Sequence, residues 1–256
     1  MLSDLNKDEL FLICCNLDLS TILNLCISNR KLNEKICKCE IWCKMLKKFP
    51  DYLKLGNVEK KNKRDIYKLL CQLKTLKNKL HLKDNIYEIY KLEHLFINDK
   101  GLTNIPKEIG NLINLKYLYC DRNNIRKLPE EIGELINLQY LDISANIIQT
   151  LPKEIGKLIN LRMLQCEFNK ITEIHEDFKY LVNLKNLYIG NNKLKEIPKF
   201  FKNLANLEGL NVKNNMIKEL PIELSELTKL VNSLSSYNII KELPIELRNL
   251  PKLQIF

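Results

Sequence analysis

The chain has 256 residues, of which 45% are apolar, and carries a formal net charge of +10. A chain of this length is longer than one compact core comfortably holds, so we expect one elongated domain or two small ones. It contains no apolar run of the roughly 18 residues that a membrane-spanning helix needs, and its first residues lack the basic head and cleavage site of a secretory signal. These features exclude a membrane-spanning protein and predict a cytoplasmic one.

The nine cysteines and the excess of basic side chains both concentrate towards the N-terminus. Seven cysteines lie within the first 71 residues without the paired spacing of a disulfide framework, so we expect reduced thiols. Residues 1–90 carry 18 basic and 11 acidic side chains, and their longest basic run is KKNKR at residues 60–64. A longer basic run is typical of nucleic-acid binders, so we expect no nucleic-acid partner.

Residues 1–50 show helical periodicity in three short stretches. Ser20 is placed to cap the second stretch, and the apolar positions of the three are Leu10, Ile13, Leu17, Leu23, Ile27, Leu32 and Ile36. Three short helices predict a small all-α domain. Such a domain is marginally stable alone and gains stability by docking onto a partner.

The order of residues in LNKDELFLICCNLDLSTILNLCISNRKLNEKICKCEIWCKML (residues 5–46) resembles the F-box motif. The matching residues are Leu5, Glu9, Leu10, Ile13, Leu17, Asp18, Leu23, Leu25, Asn29, Arg30, Leu32, Ile41 and Trp42. Asn6 stands where that family usually has Pro, and Ser28 where it usually has Val. The resemblance implies a domain at residues 1–50 that docks on the Skp adaptor of a cullin ubiquitin ligase. The adaptor-binding residues that it implies are Leu5, Leu10, Ile13, Leu17, Leu23 and Trp42.

Residues 51–80 are interpreted as a linker that contains a basic helix from about Asp65. The apolar residues of this segment recur at helical spacing and predict one buried stripe, formed by Ile66, Leu69, Leu70, Leu73 and Leu76. A short rigid spacer of this kind sets the angle between two modules.

Seven 23-residue units follow one another without a gap from residue 92 to residue 252. The second unit, residues 115–137, reads LKYLYCDRNNIRKLPEEIGELIN. Upstream, Leu82, Ile86 and Ile89 match positions 14, 18 and 21 of the unit. We therefore expect a half-unit from about residue 80 and a repeat domain over residues 81–256.

Each repeated column of the unit has a physical cause. Apolar residues at positions 1, 4 and 6 predict a short strand with one buried face. Asparagine at position 9 falls where the chain turns inward, and its amide can pair backbone groups that the turn leaves free, so we predict a buried asparagine ladder. Proline at position 15 fixes φ for entry into a helical turn. The pattern over residues 92–256 resembles the leucine-rich repeat family, which implies an α/β solenoid with a parallel β-sheet horseshoe.

The alternation of each strand leaves positions 2, 3, 5, 7 and 8 displayed on the concave sheet face. Aromatic residues and Met with scattered charges accumulate there, a composition typical of protein-recognition hot spots. An alternative interpretation is that tyrosine is simply favoured on sheet surfaces. The predicted target-binding residues are His94, Phe96, Tyr117, Tyr119, Arg122, Tyr140, Asp142, Arg162, Met163, Phe168 and Tyr188.

Two units depart from the repeat. In the seventh, Ser233 and Ser235 occupy inward positions while Leu234 faces outward, which indicates a decaying terminal repeat or a one-residue slip of the strand. In the fourth, His175 replaces the proline, and we interpret it as a tolerated surface residue.

The sequence contains no motif typical of a catalytic site or a metal site. Cys37, Cys39 and Cys43 lack a fourth ligand at zinc-finger spacing. The three histidines fall on different elements, and phosphate-loop, dinucleotide, zinc-protease and hydrolase motifs do not occur. We therefore expect no enzymatic activity, no metal and no cofactor.

Two functional hypotheses follow. The first is a substrate-recognition subunit of a Skp–cullin–F-box ubiquitin ligase, with an unknown target protein on the concave face. The alternative is a leucine-rich repeat adaptor or signalling scaffold without a role in ubiquitination. The Lys-, Asn- and Ile-rich composition together with an F-box suggests a large DNA virus or an AT-rich protist as source. A viral protein would work in the host cytoplasm or nucleus.

Overall fold

The computed structural model of the protein describes residues 46, 49, 63–242, 244–247 and 253–254. The chain divides into two compact units, Met1–Lys91 and Leu92–Phe256. The predicted helices of residues 1–45, the six predicted adaptor-binding residues and the three clustered cysteines lie outside the described residues. The F-box-like fold therefore stays a prediction.

The described part of the first unit contains two helices, α1 (Lys63–Lys79) and α2 (Ile86–Lys91). The five residues predicted for the inner stripe of α1 are all buried, so that prediction is confirmed. Asn85 caps α2, because its side-chain oxygen accepts hydrogen bonds from the backbone N–H groups of Tyr87 and Glu88 at 3.0 Å. Residues 81–91, which the repeat pattern joins to the solenoid, belong to this first unit.

The second unit is a parallel β-sheet whose eight strands follow one another in chain order. The strands are β1 (His94–Phe96), β2 (Tyr117–Tyr119), β3 (Tyr140–Asp142), β4 (Met163–Gln165), β5 (Asn186–Tyr188), β6 (Gly209–Asn211), β7 (Asn232–Leu234) and β8 (Leu253–Gln254). From β1 to β7 the first residues recur every 23 positions and lie opposite each other in the ladder. This is the parallel sheet of a leucine-rich repeat fold, as the sequence predicts.

A short 3-10 helix follows the strand in each repeat of the described chain. These helices are Lys107–Asn111, Glu130–Glu134, Lys153–Lys157, Glu176–Tyr180, Lys199–Asn203, Ile222–Glu226 and Ile245–Leu247. Where a proline precedes the helix, as at Pro129, its φ of −71° suits entry into the turn. His175 takes the same backbone conformation, and its Nδ1 also accepts a hydrogen bond from the Asp177 N–H at 3.2 Å. This histidine is therefore a helix cap and more than a tolerated surface residue.

The interior of the repeats consists of stacked leucines and the predicted asparagine ladder. Asn169 is buried, and its Nδ2 donates to the carbonyl oxygens of Ile143, Cys166 and Glu167 at 2.9–3.2 Å. Its Oδ1 accepts from the Ile148 N–H at 3.0 Å. One amide thus satisfies backbone groups of two successive repeats, because it reaches both its own turn and the preceding one.

The residue at position 8 of each repeat has a left-handed backbone. Its φ lies between 52° and 56°, although none of these residues is glycine: Asp99, Arg122, Ala145, Phe168, Asn191, Asn214 and Tyr237. Side chains such as Asp and Asn tolerate this conformation better than the others do. The turn therefore sets the direction of every side chain at position 8.

The seventh repeat keeps the register of the other strands. Ser233 lies opposite Leu210 in the ladder, and Ser235 is buried. This register shows no slip of the strand, and the decaying terminal repeat stays a prediction. Beyond it, β8 pairs Leu253 with Ser233, which departs from the 23-residue spacing of the preceding strands.

Candidate protein-binding face

Strands β1–β5 of the second unit each have one buried and one displayed side. In β2 the central Leu118 is fully buried, whereas Tyr117 and Tyr119 on either side of it are partly exposed. The same pattern holds in β3 to β5. The displayed side chains therefore form one surface across the strands, which we call the sheet face.

Five aromatic rings form a continuous stack on the sheet face of β1–β3. The His94 imidazole lies over Tyr117 with ring centroids 4.4 Å apart and planes within 2° of parallel. Phe96 stacks on Tyr119 with centroids 4.8 Å apart, and Tyr119 contacts Tyr140 at the same distance. These pairs lie on neighbouring strands, whose spacing of about 4.8 Å suits ring stacking. We call these five residues the aromatic cluster.

A carboxylate, Asp142, ends β3 directly beside the aromatic cluster. Its Oδ1 accepts a hydrogen bond from the Ser144 N–H at 2.9 Å. Burial raises the pKa of Asp142, and the bond from Ser144 partly offsets that rise. Burial, followed by the charge of Asp142, raises the pKa of Tyr140 to about 12. The Tyr140 hydroxyl therefore stays protonated, and it lies 2.6 Å from Oε1 of Gln165, to which it donates.

Beyond β4 the sheet face becomes polar. Glu167 reaches across β5 so that its Oε1 accepts a hydrogen bond from Nδ2 of Asn211 at 2.8 Å. Gly190 lies beneath this contact, and a Cβ atom there would come within 3.2 Å of the Glu167 carboxylate oxygen. Gly209 similarly leaves room for the side-chain oxygen of Asn186, which a Cβ atom at Gly209 would clash with. The two glycines thus permit polar side chains to lie flat on the strands.

The structure brings some of the predicted target-binding residues together and separates others. The five ring residues form the aromatic cluster, and Asp142 and Met163 lie beside Tyr140 on β3 and β4. Tyr188 instead contacts Asn186 on its own strand, with 3.4 Å between the hydroxyl and the amide oxygen. Three more predicted residues lie at the strand ends: Arg122 and Phe168 after β2 and β4, and Arg162 before β4.

Sequence reasoning left Gly190, Gly209 and Asn211 out of the predicted site. A signal for the glycines existed, since each occupies a displayed column in which the other units carry side chains. The bond from Asn211 to Glu167 joins residues 44 positions apart, so one unit compared with the next does not reveal it.

The thiols of Cys120 and Cys166 belong to the interior. Both are fully buried, and burial raises their pKa well above the ordinary value. Within the described residues no group of three or more His, Cys, Asp or Glu side chains could hold a metal ion. No helix in that part of the chain is both long enough and apolar enough to cross a membrane.

Comparisons with known proteins agree with this fold. Residues 91–176 match a family model described as a leucine-rich repeat region, and residues 159–203 match one described as leucine-rich repeats in two copies. No F-box family model matches. The comparison with curated proteins gave no match. The family matches cover residues 91–203 and agree with the leucine-rich repeat fold of the second unit.

Solved structures with this fold come from bacteria and plants. A leucine-rich repeat protein from Leptospira interrogans is 37% identical, with a TM-score of 0.58, over 60% of this chain and 40% of that one. The plant peptide hormone receptor RGFR1, in complex with RGF2, is 34% identical, with a TM-score of 0.51, over 59% of this chain and 25% of that one. The alignments thus span less than half of the length of either neighbour.

Proposed function

We propose that residues 92–256 form a protein-recognition module that binds its partner on the sheet face, centred on the aromatic cluster. The observation that carries this proposal is the continuous stack of five rings on β1–β3. The outermost ring, Phe96, is 60% exposed. Sheet propensity explains single tyrosines, but a contiguous exposed aromatic surface is typical of an interface. Aromatic side chains are also the commonest anchors of binding energy.

One structural neighbour supports a role in recognition. It is a plant peptide hormone receptor in complex with RGF2. A repeat protein of this fold therefore carries a binding function in that case. For this chain, the aromatic cluster is what supports the sheet face as the binding surface.

The test compares partner capture by the full chain and by a Phe96→Ala/Tyr119→Ala variant in a eukaryotic lysate, with the captured proteins identified by mass spectrometry. We expect the variant to lose the partner, because two anchors together contribute a factor of roughly 30 or more in affinity. Tyr180→Ala is the matched control, since Tyr180 is 54% exposed on the 3-10 helix Glu176–Tyr180. Retention by the double variant and loss by the control would overturn the proposal.

For residues 1–50 we propose that the F-box resemblance reflects docking on a Skp adaptor, which would make the chain a substrate receptor of a cytoplasmic cullin ubiquitin ligase. The order of apolar residues over residues 5–46 supports this. In such a complex the chain has no catalytic role, because it contributes proximity between the target and a charged ubiquitin carrier. A leucine-rich repeat adaptor without a role in ubiquitination is the alternative.

Co-purification of the full chain with recombinant Skp adaptor and cullin separates the two. We expect a complex with the wild type and none with a Leu10→Asp/Ile13→Asp/Trp42→Asp variant. Ile136→Asp is the control, since Ile136 is 54% exposed in the repeats. Absence of a complex with the wild-type chain would leave the adaptor alternative, and the sheet-face proposal would be unaffected.

A further inference from the structure

Asp121 and Asp142 lie beside the aromatic cluster, and Glu167, after β4, lies further along the sheet face; two of these three carboxylates have no cationic partner among the described residues. Asp121 pairs with Arg122 at 3.1 Å. Asp142 and Glu167 form no ion pair with a described Lys or Arg. Two other carboxylates next to the strands are paired, with distances of 2.9 Å and 2.8 Å in Lys116–Glu93 and Lys185–Glu208. The surface beside Tyr140 is therefore negative within a chain of net charge +10.

These two carboxylates are held in place and partly removed from water. Asp142 accepts from the Ser144 N–H and Glu167 from Asn211, at 2.9 Å and 2.8 Å. Burial raises the pKa of both groups, and the charge of Asp142 raises that of Glu167 further. Partly desolvated charges without a cation destabilise the free protein. A cation supplied by a partner would remove this cost at the moment of binding.

The aromatic rings next to the carboxylates can pack against the aliphatic stem of a Lys or Arg side chain. Tyr119 and Tyr140 lie 4.8 Å apart and present apolar surface directly beside Asp142. Lys and Arg bury their aliphatic stems on such surfaces while the charged head stays at a polar edge. A ring face within about 6 Å of the head adds cation–π attraction.

We infer that the sheet face at β2–β4 binds a Lys or Arg side chain of the partner protein. Its stem packs on Tyr119 and Tyr140, and its charged head lies between Asp142 and Glu167. This inference rests on the proposed function and adds the chemistry of the partner, a basic exposed segment. An acidic or phosphorylated segment would meet like charge at this place and be rejected.

The test starts from a random-peptide library displayed on phage and selected on the full chain. One enriched peptide is then synthesised twice, with its basic residue intact and with citrulline or acetyl-lysine in that position. Affinities of both peptides are measured for the wild type, for Asp142→Asn/Glu167→Gln and for Phe96→Ala/Tyr119→Ala. The new amides keep an oxygen that accepts from Ser144 and Asn211, so the face keeps its hydrogen bonds. Glu130→Gln/Glu131→Gln, on a 3-10 helix, is the matched control.

We expect enriched peptides to contain Lys or Arg and to bind the Asp142→Asn/Glu167→Gln variant at least about tenfold more weakly. The neutral peptide should not distinguish the two proteins, which gives a positive coupling in the double-mutant cycle. A different result would be peptides that need Phe96 and Tyr119 for binding but either lack a basic residue or bind Asp142→Asn/Glu167→Gln as tightly as the wild type. In that case the inference of a bound cation is wrong and the proposed function stands. Peptides that bind without regard to the aromatic cluster would overturn both.

Discussion

The interior of the repeats and the sheet face belong to the same strands, yet they follow opposite rules. Inside, the second to sixth repeats keep leucine at positions 1 and 4 and asparagine at position 9, and these side chains are buried. Outside, position 5 changes from Phe96 to Tyr119 and Asp142 in three successive strands. Stacked repeats need identical interior contacts, because each unit packs against a copy of itself. Variation on the displayed side therefore marks the surface that is free to serve recognition.

Two columns of asparagines show that the periodic recurrence of a residue does not by itself indicate how much it contributes to stability. The interior column includes Asn169, which is buried and makes four hydrogen bonds. A second column at position 23 is solvent-exposed or nearly so, and each member donates one bond of 2.8 Å to the carbonyl of a residue one repeat earlier: Asn137, Asn160, Asn183 and Asn206. Both columns recur every 23 residues, so we expect burial to decide which of them contributes more to stability.

The largest loss of stability is expected for Asn169→Ala. The substitution leaves the Ile148 N–H unpaired in the interior, and the carbonyl oxygens of Ile143 and Cys166 each lose one of two ladder donors but keep the bond from Asn146 or Asn192. An unpaired buried group costs about 1–3 kcal/mol and each lost bond about 0.5–1.5 kcal/mol, so we expect the free energy of unfolding to fall by roughly 2–5 kcal/mol. Urea denaturation followed by circular dichroism measures it. A loss below about 1 kcal/mol would show that the ladder does not hold the repeats together.

Gly156→Ala should have the next largest effect. An added methyl group would clash with the backbone carbonyl of Asp177 in the following 3-10 helix. The backbone cannot move away without disturbing the packing of the two repeats, so we expect the free energy of unfolding to fall by about 1–3 kcal/mol in the same assay. Gly101→Ala is the comparison, because no atom lies within 4 Å of a Cβ there and only the positive φ of 65° opposes it. A loss at Gly156 no larger than the loss at Gly101 would show that the clash costs no more than the left-handed backbone does.

The scaffold could be predicted from the sequence because its cause is local and repeated. The inward leucines, the asparagine ladder and the turn before each helix follow from one 23-residue pattern. The buried stripe of α1, from Ile66 to Leu76, followed likewise from helical spacing. A single periodic rule therefore fixed most of the described fold.

The arrangement of the site was less accessible to sequence reasoning, because it depends on side-chain conformations across several strands. The list of displayed residues included the aromatic cluster, but it treated Tyr188 as an equal member. Gly190 and Gly209 allow Glu167 and Asn186 to lie across the strands. They were not predicted as site residues because a glycine has no side chain that could contact a partner. The left-handed turn at position 8 was also missed, although Asp99, Asn191 and Asn214 tolerate it.

On the sheet face, Tyr119→Ala should cost only about 1 kcal/mol of stability. Its ring is partly exposed and its stacking on Phe96 and Tyr140 contributes at most about 0.5–1.5 kcal/mol per pair. Urea denaturation measures the stability, and the partner assay measures binding, where the effect should be larger. A stability loss comparable to that of Asn169→Ala would show that the ring is part of the core.

Asp142→Asn should change stability in the opposite direction. Folding raises the pKa of Asp142 above 3.8, so the folded protein binds this proton more tightly than the unfolded chain does. The wild type therefore loses stability relative to the variant as pH rises from about 4 through the raised pKa, and the variant is the more stable at neutral pH. The facing groups Asp121, Glu167 and Tyr140 are the same in both proteins. Denaturation at acidic and neutral pH tests this, and a variant less stable at neutral pH would contradict it.

The smallest effect is expected for Asn160→Ala, the exposed counterpart of the first substitution. The variant loses one 2.8 Å bond to the Ile136 carbonyl, and water can take the place of the amide at this exposed position. We expect a change of about 0.5 kcal/mol, since surface substitutions rarely exceed that value. The comparison with Asn169→Ala removes the same side chain nine positions away, so the difference between them isolates burial. Equal losses would mean that repetition, and not burial, marks the residues on which the solenoid depends.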